Sequence, residues 1–151
     1  MVGQVIRSHR RIDVLINNVG NFIYTPIHAT TPEAFQEVIE TNLYSAFFCT
    51  QLVVPYMKKQ KAGQIVNIGC AGADRIMIRE RTTPYYIAKL GVIMLTKIFA
   101  NAYARDHIRV NCVSPGVLEH STAKPTQMPS GRYASTDDIL GVVRFLLSPQ
   151  A

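Results

Sequence analysis

Ile12-Asp13-Val14-Leu15-Ile16-Asn17-Asn18-Val19-Gly20 is the stretch whose reading decides the fold. It is a short apolar, β-branched run that stops abruptly in two amides and a glycine. Ile12–Asn17 is too short for a buried helix and too continuously apolar for a half-exposed strand. It reads as a strand covered on both faces. Two further runs of the same kind follow, Gln64–Ile68 and Ile108–Val113. Longer segments of helical period separate the three. Such alternation predicts an α/β chain built on a parallel sheet.

The helical segments carry their own start signals. Thr31 can cap a helix N-terminus, Pro32 fits its first position, and Glu33 suits the positive end of the helix dipole. Phe35, Val38, Ile39, Asn42, Leu43, Ala46 and Phe47 then fall on one helix face. This helix is expected to run to about Met57, with a bend at Pro55. Asn42 is out of place in that stripe, because a buried amide must find partners. It reads either as a structural hydrogen-bonding residue or as part of a site. A second helix, from Tyr85 to about Arg105, is apolar almost all round and so needs cover on more than one side. The sheet supplies one cover and a second subunit is expected to supply the other. A last helix, Thr136–Leu147, has Ser135 or Thr136 as its cap.

Composition narrows the classes. The 151 residues are 48% hydrophobic and 17% charged, a globular profile in one domain spanning 1–151. The net charge of +6 leaves an anionic partner open. The cations are scattered, however: Arg7, Arg10 and Arg11; Lys58, Lys59 and Lys61; Arg75, Arg79 and Arg81. No aromatic residues interleave with them as a base-stacking surface requires, so no nucleic-acid partner is expected. Cys49, Cys70 and Cys112 have no metal-ligand spacing and suit a reducing compartment, so a cytoplasmic location is expected. No signal peptide opens the sequence, and no apolar run reads as long enough to span a membrane.

The strand ends carry the chemistry. Asn17-Asn18-Val19-Gly20, Gly69-Cys70-Ala71-Gly72 and Ser114-Pro115-Gly116 each close a strand with small or polar residues. In an open parallel sheet the ligand crevice lies beyond the carboxyl ends of the strands, so the three turns should converge on one site. Tyr85 and Lys89 stand four apart near a helix start and share a face. A phenol is a poor acid–base at neutral pH. A neighbouring ammonium favours its phenolate, which makes the pair a plausible proton donor to a carbonyl oxygen.

Taken together, Ile12–Gly20, Thr41-Asn42-Leu43, Ile65–Cys70, Tyr85-x-x-x-Lys89 and Val110-Asn111-Cys112-Val113-Ser114-Pro115-Gly116 resemble the classical short-chain dehydrogenase/reductase family in order and spacing. The resemblance runs from Ile12 to Ser148, and a subgroup like the 3-oxoacyl-acyl-carrier-protein reductases fits. It implies a Rossmann-like doubly wound parallel sheet and hydride transfer between NAD or NADP, with a lean to NADP, and a small carbonyl or alcohol substrate. It implies that Tyr85 is the general acid–base. Lys89 would lower the Tyr85 pKa and hold the nicotinamide ribose, and Asn42 would anchor a water in a proton relay. Asn18 would contact the cofactor and Gly20 would let the backbone approach it. Pro115 and Gly116 would border the nicotinamide, with Val117 or Leu118 giving backbone contacts to its carboxamide. A homo-oligomer through the helices around 47–57 and 92–104 is also implied.

Two departures qualify these expectations. Cys70 stands where the family has a carbonyl-polarising serine, and a thiol is a weak donor. Tyr85 follows fifteen positions later, slightly beyond the usual gap, so the loop 71–84 should be rebuilt. Thr82 or Thr83 could supply the missing hydroxyl. The glycine-rich turn that cradles pyrophosphate is also absent ahead of Ile12. Met1–Arg11 reads as the tail of the helix before the family's fourth strand. The expectation is therefore a partial Rossmann-like sheet lacking the first three strands and the last strand. Its open apolar edge, poor solubility and weak cofactor binding should follow. The alternative is a non-catalytic remnant that keeps the dimerising helices.

Overall fold

The computed structural model describes residues 2–75 and 77–151. Its centre is a three-stranded parallel sheet in the order β1 (Val14–Asn17), β2 (Gly63–Ile68) and β3 (Ile108–Val113). Val14 pairs with Gln64 and Asn17 with Asn67, while Gly63 pairs with Ile108 and Ile68 with Val113. This register brings the three carboxyl ends level. β2 lies in the middle, and its Ile65, Val66 and Asn67 are buried.

Five helices flank the sheet: α1 (Val2–His9), α2 (Pro32–Ile39), α3 (Ser45–Gln60), α4 (Thr83–Tyr103) and α5 (Thr136–Leu147). One face of the sheet, with α3 and α4, forms the larger core around Ile12, Val53, Val54, Met57, Ile65, Phe99, Ile108 and Val110. Val2 and Ile6 of α1 pack against it. On the other face Val143 of α5 meets Val66 and Val113. Helices on both faces make the sheet doubly wound.

The helix starts follow the sequence signals. Thr31 Oγ1 accepts from Ala34 N at 3.2 Å. Ser135 Oγ accepts from Asp138 N while Asp138 accepts from Ser135 N, a full capping box. The single helix expected from Thr31 to Met57 is divided. A π turn, Glu40–Tyr44, joins α2 to α3 and carries Asn42. Pro55 lies inside α3.

One sequence expectation does not hold. By length and composition, Thr83–Asp106 is long and apolar enough to cross a bilayer, with 24 residues at a mean hydropathy of 1.3. One side of it packs into the core through Pro84, Ala88, Lys89, Val92, Thr96 and Phe99, while Ile87, Leu90, Met94 and Ile98 on its other side are exposed. Thr96 accepts a hydrogen bond from buried Asn67 at 2.8 Å. β1 is an edge strand whose apolar Val14 and Ile16 are 39% and 45% exposed. The open apolar edge read from the sequence is therefore present.

Candidate active site

The three strand ends are tied to one another. Asn17 Nδ2 donates to Asn67 Oδ1 at 2.8 Å, joining β1 to β2. Gly69 N donates to Val113 O and Ala71 N to Pro115 O, both at 2.8 Å, joining the turn after β2 to the turn after β3. Gly69 is confined: a Cβ there would lie 2.6 Å from Ser114 Oγ and 2.8 Å from Cys112 Sγ. Cys70 follows it, half-buried, with Sγ 3.7 Å from Ala71 O.

The first turns of α4 bring Tyr85 and Lys89 to this edge. Lys89 is 4% exposed, and its Nζ donates to Ile68 O, the last carbonyl of β2, at 2.7 Å. The same ammonium lies 5.5 Å from the centre of the Tyr85 ring. Burial holds Lys89 below its ordinary value, partly offset by the neighbouring Cys70 and Cys112. Burial pushes the Tyr85 phenol well above its ordinary value, and the Cys70 and Tyr86 beside it add to the rise. The lowering of Tyr85 by Lys89 expected from the sequence is thus absent from this arrangement. The ammonium faces the ring rather than the hydroxyl and spends one N–H on the strand carbonyl. Two of its three N–H groups remain for a ligand.

Asn42 is 2% exposed in the π turn. Its Nδ2 donates to Asn21 O at 2.9 Å, Asn21 Oδ1 at 3.1 Å and Val38 O at 3.0 Å. Its Oδ1 is buried without a hydrogen-bond partner. Both readings of Asn42 therefore have support: the amide N–H groups are structural, and the orphan oxygen is free to accept from a bound group. Gly20 explains itself against this residue. A Cβ on Gly20 would lie 2.2 Å from Asn42 Oδ1, so the bare backbone there makes room for Asn42. Asn18 is exposed beyond the end of β1.

Beyond β3, a Cβ on Gly116 would meet nothing within 4 Å, so open space borders it. Leu118 differs from expectation. Its N–H donates to Ser121 Oγ at 3.0 Å and so is taken, while its carbonyl accepts from Ser121 N and keeps a second lone pair. Val117 O accepts from Ala134 N. Thr83 does not replace the missing serine, because its hydroxyl donates to Arg79 O at 2.8 Å. Thr82 is buried at the start of α4 and makes no side-chain cap.

Other neighbours went unread in the sequence. Phe22 meets Tyr85 edge-on with ring centres 5.1 Å apart. Asn21 holds Asn42 and also accepts from Thr41 Oγ1. A buried chain from Asn17 through Asn67 to Thr96 lies just below the site. An asparagine at or next to the carboxyl end of each of two apolar strands was the available signal for that chain.

Comparison with known proteins identifies the family and the fold. A family model described as enoyl-(acyl carrier protein) reductase matches residues 1–151. The chain belongs to the short-chain dehydrogenase/reductase family. It is 34% identical over 161 residues to the 3-oxoacyl-(acyl-carrier-protein) reductase FabG of Thermotoga maritima, covering 100% of this chain and 65% of that protein. It is 35% identical to a 2-dehydro-3-deoxy-D-gluconate 5-dehydrogenase of Bacillus subtilis, covering 93% of this chain and 59% of the relative. Among solved structures, a gluconate 5-dehydrogenase from Burkholderia cenocepacia in complex with NADP and tartrate superposes with a TM-score of 0.87 at 27% identity. That match covers 96% of this chain and 61% of the other. A 4-hydroxyisoleucine dehydrogenase complexed with NADH and succinate gives a TM-score of 0.84 at 28% identity, covering 99% and 66%. The chain thus spans roughly two thirds of the length of these dehydrogenases and reductases. Its three-stranded sheet is a portion of their Rossmann-type fold.

Proposed function

We propose that this chain carries the proton-transfer and nicotinamide half of an NAD(P)-dependent oxidoreductase acting on a carbonyl or alcohol. The observation that carries the reading is the placement of Tyr85 and Lys89 at the level carboxyl ends of the strands, with Lys89 Nζ bonded to Ile68 O at 2.7 Å. The residues present fit the nicotinamide end of the cofactor. Open space borders Gly116, Lys89 keeps two N–H donors, and Asn42 offers a buried acceptor. Asn18 and Pro115 flank the same crevice. The nicotinamide, when bound, supplies or accepts the hydride.

The chain's own residues handle the proton. Tyr85, its phenol kept protonated by burial, donates to the carbonyl oxygen in the reducing direction. Lys89 would hold the nicotinamide ribose, and Asn42 would anchor a water for a proton relay to Lys89. Cys70 takes the place of a carbonyl-polarising hydroxyl, and a thiol donates weakly. Small-molecule reduction should therefore be slow. Such a protein fits a cytoplasmic location, with NADP ahead of NAD. Replacing Tyr85 by Phe tests the reading. Carbonyl reduction should fall by about 10²–10⁴-fold with the fold intact by circular dichroism. A variant as active as the parent would remove Tyr85 from the chemistry.

A second reading, association through α3 and α4, has its own observation. Phe48, Leu52, Met94 and Ile98 on these helices are each more than half exposed. Leu43, Tyr44, Phe47, Phe48, Gly91, Met94 and Leu95 line an apolar groove between them. A homo-oligomer covering these helices is compatible with either activity or its absence.

A further inference from the structure

Two guanidinium groups border the candidate site and have no part in the proton-transfer scheme. Arg79 Cζ lies 4.8 Å from the centre of the Tyr86 ring. That ring is 6.1 Å from the Tyr85 ring. Arg79 also acts on the Tyr86 phenol by charge, and the same phenol adjoins Cys70. Arg81 Cζ lies 5.7 Å from the centre of the Tyr24 ring. Tyr24 is two residues from Phe22, the edge-on partner of Tyr85. Thr25 N donates to Arg81 O at 2.8 Å, which stitches the Phe22–Thr25 segment to the loop carrying both arginines.

Stacking on an aromatic ring occupies the flat face of a guanidinium and leaves its N–H edge free for an acceptor. Among the described residues that edge has no carboxylate partner at either position, and the side-chain contact of Arg79 there is a weak one, Nη2 donating to Met77 Sδ at 3.8 Å. The ion pairs of the described residues are Arg11–Asp13, Lys58–Asp106, His120–Glu119 and Arg132–Asp138. Glu80 lies between the two arginines in sequence and is exposed without pairing with them. The alternative, that the loop is simply a solvated charge run, does not account for two arginines held on the rings that line Tyr85's surroundings.

The geometry points to a substrate that bears an oxyanion, a carboxylate or a phosphate, as well as the carbonyl or alcohol presented to Tyr85. Arg79 is the main anchor and Arg81 the second. A forked guanidinium matches the paired oxygens of either anion. Tyr86, between Arg79 and Tyr85, sets the spacing from the anion to the reacting carbon. Neutral analogues would leave both forks unfilled and bind poorly. This assignment of substrate class rests on the oxidoreductase reading of the site, but its test does not need activity.

The test is a nuclear magnetic resonance titration of the chain with sodium succinate, with inorganic phosphate and with neutral 1,4-butanediol. It is run at low ionic strength, because exposed charges are screened by salt. The Tyr86 ring and Arg79 side-chain resonances should shift saturably with at least one anion and not with the diol. The stronger of the two anions tells carboxylate from phosphate. Arg79→Gln should weaken binding by about tenfold or more. Arg79→Lys should fall between, since a point charge lacks the fork. Glu80→Gln should tighten binding. An equal response to the diol would overturn the proposal. So would an equal loss in Arg144→Gln, in the last turn of α5 on the other sheet face, which would reduce the effect to net charge. Anion binding without any NADPH binding would sink the oxidoreductase reading and leave only an anion site at Arg79, not a substrate anchor. NADPH binding without an anion response would do the reverse.

Discussion

Lys89 and Tyr85 make the site's pH dependence readable one residue at a time. Lys89 is held below its ordinary value of 10.5 by burial, so the unfolded chain binds more protons than the native one between the two values. Stability should rise with pH across that window. Tyr85 is held above its ordinary value of 10.0, so its contribution is complete below pH 10.0 and is lost as pH rises further. The unfolding free energy from urea titrations should therefore climb as pH approaches 10.0 from below and then fall. Lys89→Met should flatten the climb, and a climb unchanged in that variant would contradict the burial argument. Gly20 offers a second residue-level test. A Cβ 2.2 Å from Asn42 Oδ1 forces either the amide or the turn to move. Gly20→Ala should cost about 1–3 kcal/mol in the same urea titration, as overpacking does.

At the scale of elements, the start of α5 is fixed locally. Ser135→Ala removes the hydroxyl half of the capping box, leaving the backbone N–H of residue 135 on Asp138, and should cost about 1 kcal/mol, measured by urea unfolding. That cap, the Thr31-Pro32 start of α2 and all three strands were legible in the sequence, because each depends on residues within a few positions. The π turn was not. The apolar period runs unbroken through Glu40–Tyr44, and the extra residue is set by Asn42 bonding to Asn21, 21 positions away. Asn42 was flagged as misplaced, but its orphan oxygen depends on what surrounds it in space. The same holds for Leu118, whose N–H is taken by Ser121, and for Thr83, whose hydroxyl closes onto Arg79 O. Tyr85 and Lys89 were legible as a pair. The direction of the Tyr85 shift was not, because it is set by the burial of the phenol and by its neighbours Cys70 and Tyr86, which depend on the fold.

The whole molecule is a sheet with two incomplete surfaces. One is the β1 edge with exposed Val14 and Ile16, and the other is the apolar outer face of α3 and α4. Sedimentation velocity should find the chain associated, with Phe48→Glu shifting it toward the monomer. An unchanged distribution would place the contact elsewhere. The central claim is that the nicotinamide end of a cofactor docks on Lys89 at the level strand ends. An NADPH fluorescence titration of the parent chain and of Lys89→Met tests it most directly. The account predicts saturable binding weaker than micromolar in the parent chain and its loss in Lys89→Met. No saturable binding in the parent, or binding unchanged by Lys89→Met, would contradict it.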